Sequence, residues 1–170
     1  MTETKKSLLS QLPRKYHFAL NPYPEMRLSR CPYCDQKTSQ RKIPLLIHIE
    51  PLNLISLNYT CRYCQACDLL IAHKHEIELL LTTLFRQRDP GVIGNEYLIM
   101  GTMDKAVWRE ALHQPKAAQE MLSKANIFLE YHKELRMTRP GWYPEGQDPP
   151  VMEPPASQEW AMPQKTRNKR

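Results

Sequence analysis

Five cysteines fall between positions 31 and 67 of a 170-residue chain, and their spacing is the first feature that could do chemistry. C31-P-Y-C34 is one Cys-x-x-Cys turn, and Y59-T-C-R-Y-C-Q-A-C-D68 holds Cys61, Cys64 and Cys67 at equal intervals of three. A tight Cys-x-x-Cys turn aims two sulfurs at one ion, so two such turns supply the four soft ligands of a tetrahedral site. The first turn can only be Cys31 with Cys34. The second is Cys64 with Cys67, or Cys61 with Cys64. Local sequence favours Cys64 with Cys67, because C31-P-Y-C-D35 and C64-Q-A-C-D68 both place aspartate directly after the second cysteine. That position commonly needs a positive φ or a close amide approach to sulfur, which Asp tolerates better than most residues. In this register Cys61 becomes a small buried hydrophobe on a strand face shared with Leu57, Tyr59 and Tyr63. The other register, with Cys61 in place of Cys67, stays open.

An odd, locally clustered set of cysteines reads as metal ligands in a reducing compartment rather than as a secreted disulfide framework. Two other chemistries compete. Cys31-Pro-Tyr-Cys34 could be a redox pair, but that use needs a helix starting at the turn, and none follows Cys34. A catalytic ion needs an open coordination position, which four thiolates fill. His73, His75 and Glu76 follow the last cysteine closely, but they suit a strand end and a solvated first helical turn, where an acid also complements the helix dipole. No glycine-rich phosphate loop, G-x-S-x-G or H-E-x-x-H motif is present, and no catalytic residue is assigned. Four thiolates can hold zinc or iron.

The elements that must position these sulfurs follow from period and punctuation. Tyr16, Phe18 and Leu20 alternate, as in a short edge strand, after a polar helix over Lys5 to Leu12; Met26 to Arg30 is a second brief strand. Ile43 to Ile49 and Leu52 to Tyr63 are apolar, β-branched runs separated by P51-L-N53, and they predict an antiparallel hairpin. A strand over Asp68 to His73 follows. The period then changes: Lys74 to Arg88 predicts a helix with Ile77, Leu80, Leu81 and Leu84 on its stripe, ended by Asp89, Pro90 and Gly91. Asn95 to Gly101 predicts a strand, and Asp104 caps a short helix that turns Val107, Trp108, Ala111 and Leu112 inward. Pro115 opens a long helix to about Arg136, with Ala118, Met121, Leu122, Ala125, Phe128, Leu129, His132 and Leu135 repeating at three and four. Such a stripe packs on the domain's own sheet, or mates with the same helix of a second chain as a homodimer.

These elements divide the chain into an N-terminal leader (1–25), a cysteine-bearing region (26–73), a helical extension with one additional strand (74–138) and a proline-rich tail (139–170). Seven of the 15 prolines fall in that tail, which is expected to be disordered or to wrap, with Trp142 and Tyr143 folding back as a latch. No run of 18 apolar residues or signal-peptide core is visible, so a cytoplasmic protein without a membrane segment is expected.

The net charge of +6 and pI near 9.1 favour an acidic partner at long range. Arg27, Arg30, Lys37, Arg41 and Lys42 surround the first turn and Arg62 lies in the second, so nucleic acid is one candidate, with Tyr33 and Tyr63 stacking on bases. Those tyrosines could equally cover the sulfurs. A protein partner is the competing class, carried by the amphipathic helix 115–136 and by Trp142, Tyr143 and Trp160.

Turn, hairpin of about 25 residues, turn and strand, over roughly Leu28 to His73, resemble the zinc ribbon family. Zinc ribbons usually have glycine after the second cysteine of each turn, where this chain has Asp35 and Asp68. With the helices around it and the segment G101-T-M-D-K-A-V-W-R109, the chain resembles bacterial proteins built around a ribbon. The resemblance implies an α+β fold, a small zinc-ribbon antiparallel sheet extended by C-terminal helices, around a structural Zn2+ held by Cys31, Cys34, Cys64 and Cys67. The filled coordination, the amphipathic helix and the tail lead to the expectation of a non-catalytic module that mediates protein interaction or scaffolding, or else, from the basic surface around the turns, one that binds nucleic acid weakly.

Overall fold

A computed structural model describes residues 10–114, 117–132, 134–138, 146 and 151–154. It is an α+β fold on one mixed, curled sheet with a few short helices. Strands β1 (His17–Asn21), β2 (Ser39–Ile49), β3 (Asn53–Cys64), β4 (Leu69–His73), β5 (Tyr97–Met103), β6 (Ala125–Ile127) and β7 (Glu130–His132) take the order β6-β5-β2-β3-β4-β1-β7. The β2–β3 hairpin is the long centre of the sheet, paired without slip from Ser39↔Tyr63 to Ile49↔Asn53, as the two apolar, β-branched runs around P51-L-N53 predict. β5 pairs antiparallel with β2, and β4 with β3. β1 lies parallel to both β4 and β7. Tyr16–Leu20 is therefore not an edge strand: His17–Asn21 sits inside the sheet between two partners, with Phe18 and Ala19 fully buried.

Because side chains alternate along a strand, the two faces collect different residues. One face gathers Phe18, Leu45, Ile47, Ile49, Tyr59, Cys61, Leu70 and Ile99 into the main core. Helix α1 (Lys74–Arg88) covers it with Ile77, Leu81 and Phe85, while Leu80, expected to face inward, is 41% exposed. Phe18 stacks on Phe128 at 4.6 Å and on Tyr131 at 5.6 Å, both nearly parallel. Glu78, the buried acid of α1, accepts the Tyr97 hydroxyl at 3.0 Å, and Lys74 bridges toward Glu134 at 2.8 Å. The opposite face carries a smaller cluster of Ala19, Leu28, Leu69, Ile71, Leu135 and the cysteines Cys31 and Cys64.

Downstream of α1 the long helix expected from Pro115 to Arg136 does not form. Helix α3 spans only Ala118–Ser123, and the chain then gives β6 and β7. The residues buried from the expected stripe, Met121, Ala125, Phe128 and Leu135, are buried all the same, since a spacing of three or four serves a turn-and-strand path as well. Open sheet edges decide the outcome: β6 completes β5, β7 completes β1, and tertiary pairing overrides propensity. A homodimer through helix 115–136 loses its basis with that helix. The region expected to hold one extra strand thus supplies three to the main sheet.

β6 crosses β5 so closely that a Cβ on Gly101 would stand 2.2 Å from the Asn126 carbonyl oxygen, so only glycine fits there. Helix α2 (Lys105–His113) begins as expected, with Asp104 accepting the Ala106 N–H at 2.8 Å, but none of its residues is buried and Leu112 is 62% exposed. Met26–Arg30 is not a strand: only Arg30 bridges to Lys37, and Leu28 at φ 53° turns the chain out of extended geometry. The leader helix falls mostly outside the described residues, and so do Trp142, Tyr143 and Trp160 of the tail; a short pair, Met137–Thr138 with Val151–Met152, lies within them. No helix among the described residues is long and apolar enough to cross a membrane.

Candidate metal centre

The two Cys-x-x-Cys turns meet on the less apolar face of the sheet. The second is the β3–β4 hairpin turn: Cys64 ends β3 opposite Leu69, and Gln65 to Asp68 make the reversal. The first lies in the loop from β1 to β2. That loop is built by local polar bonds, because a connection of this length needs its own partners for buried backbone groups. Asn21, fully buried at the end of β1, accepts the Tyr23 N–H at 3.0 Å and donates to the Met26 carbonyl at 2.9 Å. Thr38 donates to the Leu28 carbonyl at 2.6 Å, and its N–H reaches Ser29 O at 2.9 Å, closing the loop onto the start of β2. Leu135 packs against the cluster from outside, anchored by its N–H on Leu20 O at 2.8 Å.

Within this frame the sulfurs of Cys31, Cys34, Cys64 and Cys67 all lie within 4.8 Å of one another. Cys31 Sγ is 3.9 Å from Cys67 Sγ, and Cys34 Sγ is 3.4 Å from Cys64 Sγ. Four sulfurs at about 2.3 Å from a tetrahedral Zn2+ stand about 3.8 Å apart, so the cluster has the dimensions of a shared ion. Free thiols at van der Waals contact would have no reason to converge in fours. Each turn presents one buried sulfur and one at intermediate depth, Cys31 and Cys34 in the first, Cys64 and Cys67 in the second.

Asp35 and Asp68 have φ of 60° and 52°, the left-handed conformation their place after each second cysteine calls for. In the first turn the Asp35 N–H bonds Cys31 O at 2.9 Å and the Cys31 N–H bonds Gln36 O at 2.8 Å. Asp68 also accepts the Tyr63 hydroxyl at 2.8 Å, tying the second turn to the strand that carries it. The Gln36 N–H pointing at Cys34 lowers that thiol's pKa, favouring the thiolate a metal needs. Burial raises Cys64 and Cys67, although the Cys67 N–H aimed at Cys64 works against that rise.

Cys61 is kept out by strand parity. Three residues before Cys64 on the same strand, it faces the main core, 1% exposed beside Tyr59 and Tyr63, while Cys64 faces the loop. Its thiol is pushed up to about 12 by burial alone. Cys61 cannot take the place of Cys67 without reversing β3.

The other residues singled out disperse. His73 Nδ1 lies 3.2 Å from the Asn21 amide, His75 packs edge-on to His73 at 5.7 Å, and Glu76 accepts the Tyr59 hydroxyl; none joins the sulfurs. Tyr63 is buried, with Arg41 lying 3.9 Å over its ring and also donating to Tyr16, so the ring is not free to stack on a base as expected. Tyr33 stays 56% exposed, near His132 at 5.5 Å. Arg30 pairs loosely with Asp35 at 3.9 Å. Sequence reasoning missed Asn21 and Thr38, which shape the loop bearing Cys31 and Cys34; the Asn21-Pro22 dipeptide, a turn initiator, was the available signal for the first.

Comparison with family models, with curated proteins and with solved structures finds no match for this chain.

Proposed function

We propose that Cys31, Cys34, Cys64 and Cys67 hold one structural Zn2+ and that the chain is a non-catalytic, zinc-ribbon-like binding module of the cytoplasm. The observation that carries this is the convergence of four sulfurs from two turns whose aspartates both adopt a left-handed backbone. Four thiolates complete a tetrahedral ion and leave no position for substrate or water, which separates a structural site from a catalytic one. The ion would join the β1–β2 loop to the β3–β4 turn, two segments with little apolar surface between them. Structural zinc contributes on the order of 10 kcal/mol in apparent terms, comparable with the whole net stability of many domains. A scaffolding role between proteins remains a reading of the exposed aliphatic residues Leu79, Leu80 and Leu98, now that the helix 115–136 is absent.

Native mass spectrometry of protein purified without added metal tests the proposal. One zinc per chain is expected. A chain that runs at its apo mass, with full thermal stability, contradicts it.

A further inference from the structure

The face of the sheet that carries Cys64 holds a second group of polar side chains beside the cysteines. Gln40 on β2 stands opposite Arg62 on β3, and Arg62 stands opposite Ile71 on β4. Strand parity puts Thr60 and Arg62 on the same side as Cys64, and His73 on the same side as Leu69 and Ile71. Arg27 joins them from the β1–β2 loop. The five residues line one hollow of about 270 Å³, in which Glu76 is the single acid.

Each of the five brings a hydrogen-bond donor, and neither guanidinium makes a hydrogen bond or ion pair with a described residue. Glu76 is taken up by the Tyr59 hydroxyl, so two fixed positive charges face one engaged carboxylate. Asn21, fully buried, sets the site from behind. Its Oδ1 accepts the Tyr23 N–H at 3.0 Å, and its amide nitrogen donates to the Met26 carbonyl at 2.9 Å and faces His73 Nδ1 at 3.2 Å. The Met26 bond fixes the loop one residue before Arg27. The His73 bond makes Nδ1 an acceptor, so the neutral ring carries its proton on Nε2, turned away from Asn21. Burial lowers the His73 pKa and keeps that ring neutral, a donor of fixed direction without a charge of its own.

The donor set selects the ligand. A carboxylate has two coplanar oxygens, and one guanidinium fork satisfies both. Donors that enter one hollow from three strands and a loop match an anion whose oxygens spread in three dimensions. The volume lies below the roughly 300 Å³ at which pockets for drug-sized ligands begin, which suits a phosphoryl group with a small carbon remainder rather than a whole nucleotide. We propose that Arg27, Gln40, Thr60, Arg62 and His73 form a binding site for a single phosphoryl group, carried by free phosphate or by a small phosphate monoester. The site goes beyond the structural-metal reading and does not rest on it, since β2, β3 and β4 supply four of the five donors and Asn21 holds the loop that supplies the fifth.

Isothermal titration calorimetry of the full chain at neutral pH, with inorganic phosphate, glycerol 3-phosphate and acetate as separate titrants, tests the site. One phosphoryl group per chain is expected; tighter binding of glycerol 3-phosphate than of phosphate identifies a monoester as the ligand, and the reverse order identifies the free ion. R27Q and R62Q should each weaken binding about tenfold or more, while R86Q/R88Q, which removes two charges from exposed α1, leaves it unchanged. Tautomer-sensitive NMR of the histidine ring nitrogens needs no variant: His73 should report the Nε2–H form in the free protein and shift on addition of phosphate more than any other of the six histidines. Acetate bound as tightly as phosphate, no saturation by about 10 mM phosphate, equal losses in R62Q and R86Q/R88Q, or a His73 ring unmoved by phosphate would each overturn the proposal. Zinc content is read on the same samples, and phosphate binding by a chain free of zinc would sustain this site while contradicting the structural-metal reading.

Discussion

The two faces of the central sheet are held by different physics although the same strands make both. On the face under α1, Phe18, Ile47, Tyr59, Ile77, Leu81 and Phe85 exclude water by sheer apolar area. On the other, the cluster around Cys31 and Cys64 is smaller, with Ala19, Leu28, Leu69, Ile71, Leu135 and the partly buried Met26 for company, and its covering element is a loop rather than a helix. Cys61 and Cys64 mark the division on a single strand: one is a packed thiol in the first face, the other a ligand candidate on the second. A buried hydrophobe needs volume and a neighbour of any apolar kind, while a metal site needs four atoms at set distances. The loop can therefore be poor in carbon and still be fixed, provided the sulfurs are bridged.

The sharpest way to break this contrast is to strip the metal. Chelation under reducing conditions should remove on the order of 10 kcal/mol of apparent stability and release the loop 22–38, with fast amide exchange there before exchange in α1, read by hydrogen-exchange mass spectrometry. Uniform exchange on both faces would show that the ion holds the whole sheet rather than one side of it. Phe18→Ala attacks the other face: removing a ring stacked on Phe128 and Tyr131 should cost about 3–5 kcal/mol in denaturant unfolding while metal stoichiometry stays at one. Gly101→Ala tests the rim common to both. With a Cβ 2.2 Å from the Asn126 carbonyl, β6 must shift, at a cost of about 1–3 kcal/mol in the same measurement.

The smallest effect is the most discriminating. Asp35 and Asp68 share a left-handed backbone, but only Asp68 holds a buried-side partner, the Tyr63 hydroxyl. Asp35→Gly should therefore stabilise by about 0.5–1 kcal/mol, whereas Asp68→Gly should gain nothing net, because relief of the backbone is offset by the lost hydrogen bond. Equal melting shifts in the two variants would remove the distinction between the turns.

What the sequence made legible was local. Two apolar, β-branched runs, Ile43 to Ile49 and Leu52 to Tyr63 on either side of P51-L-N53, specified the hairpin, the change to period three and four specified α1, and a turn residue repeated after two cysteines singled out Asp35 and Asp68. What it hid was set by partners far along the chain. His17–Asn21 reads as an edge strand until β4 and β7 are placed on either side of it, and Ala125–Ile127 reads as helix until the open edge of β5 is in view. The expected small antiparallel sheet is consequently embedded in a larger mixed one. The interior packing of α2 was likewise overread: Val107 is partly buried against the cluster of Leu46, Met103 and Met121, but Leu112, spaced for burial, stays exposed.

The most direct measurement compares zinc content, by native mass spectrometry, in the Cys67→Ser and Cys61→Ser proteins. The account predicts that the first loses its ion and the second keeps one per chain. An ion retained without Cys67, or lost without Cys61, would contradict the placement of the metal on the loop-bearing face.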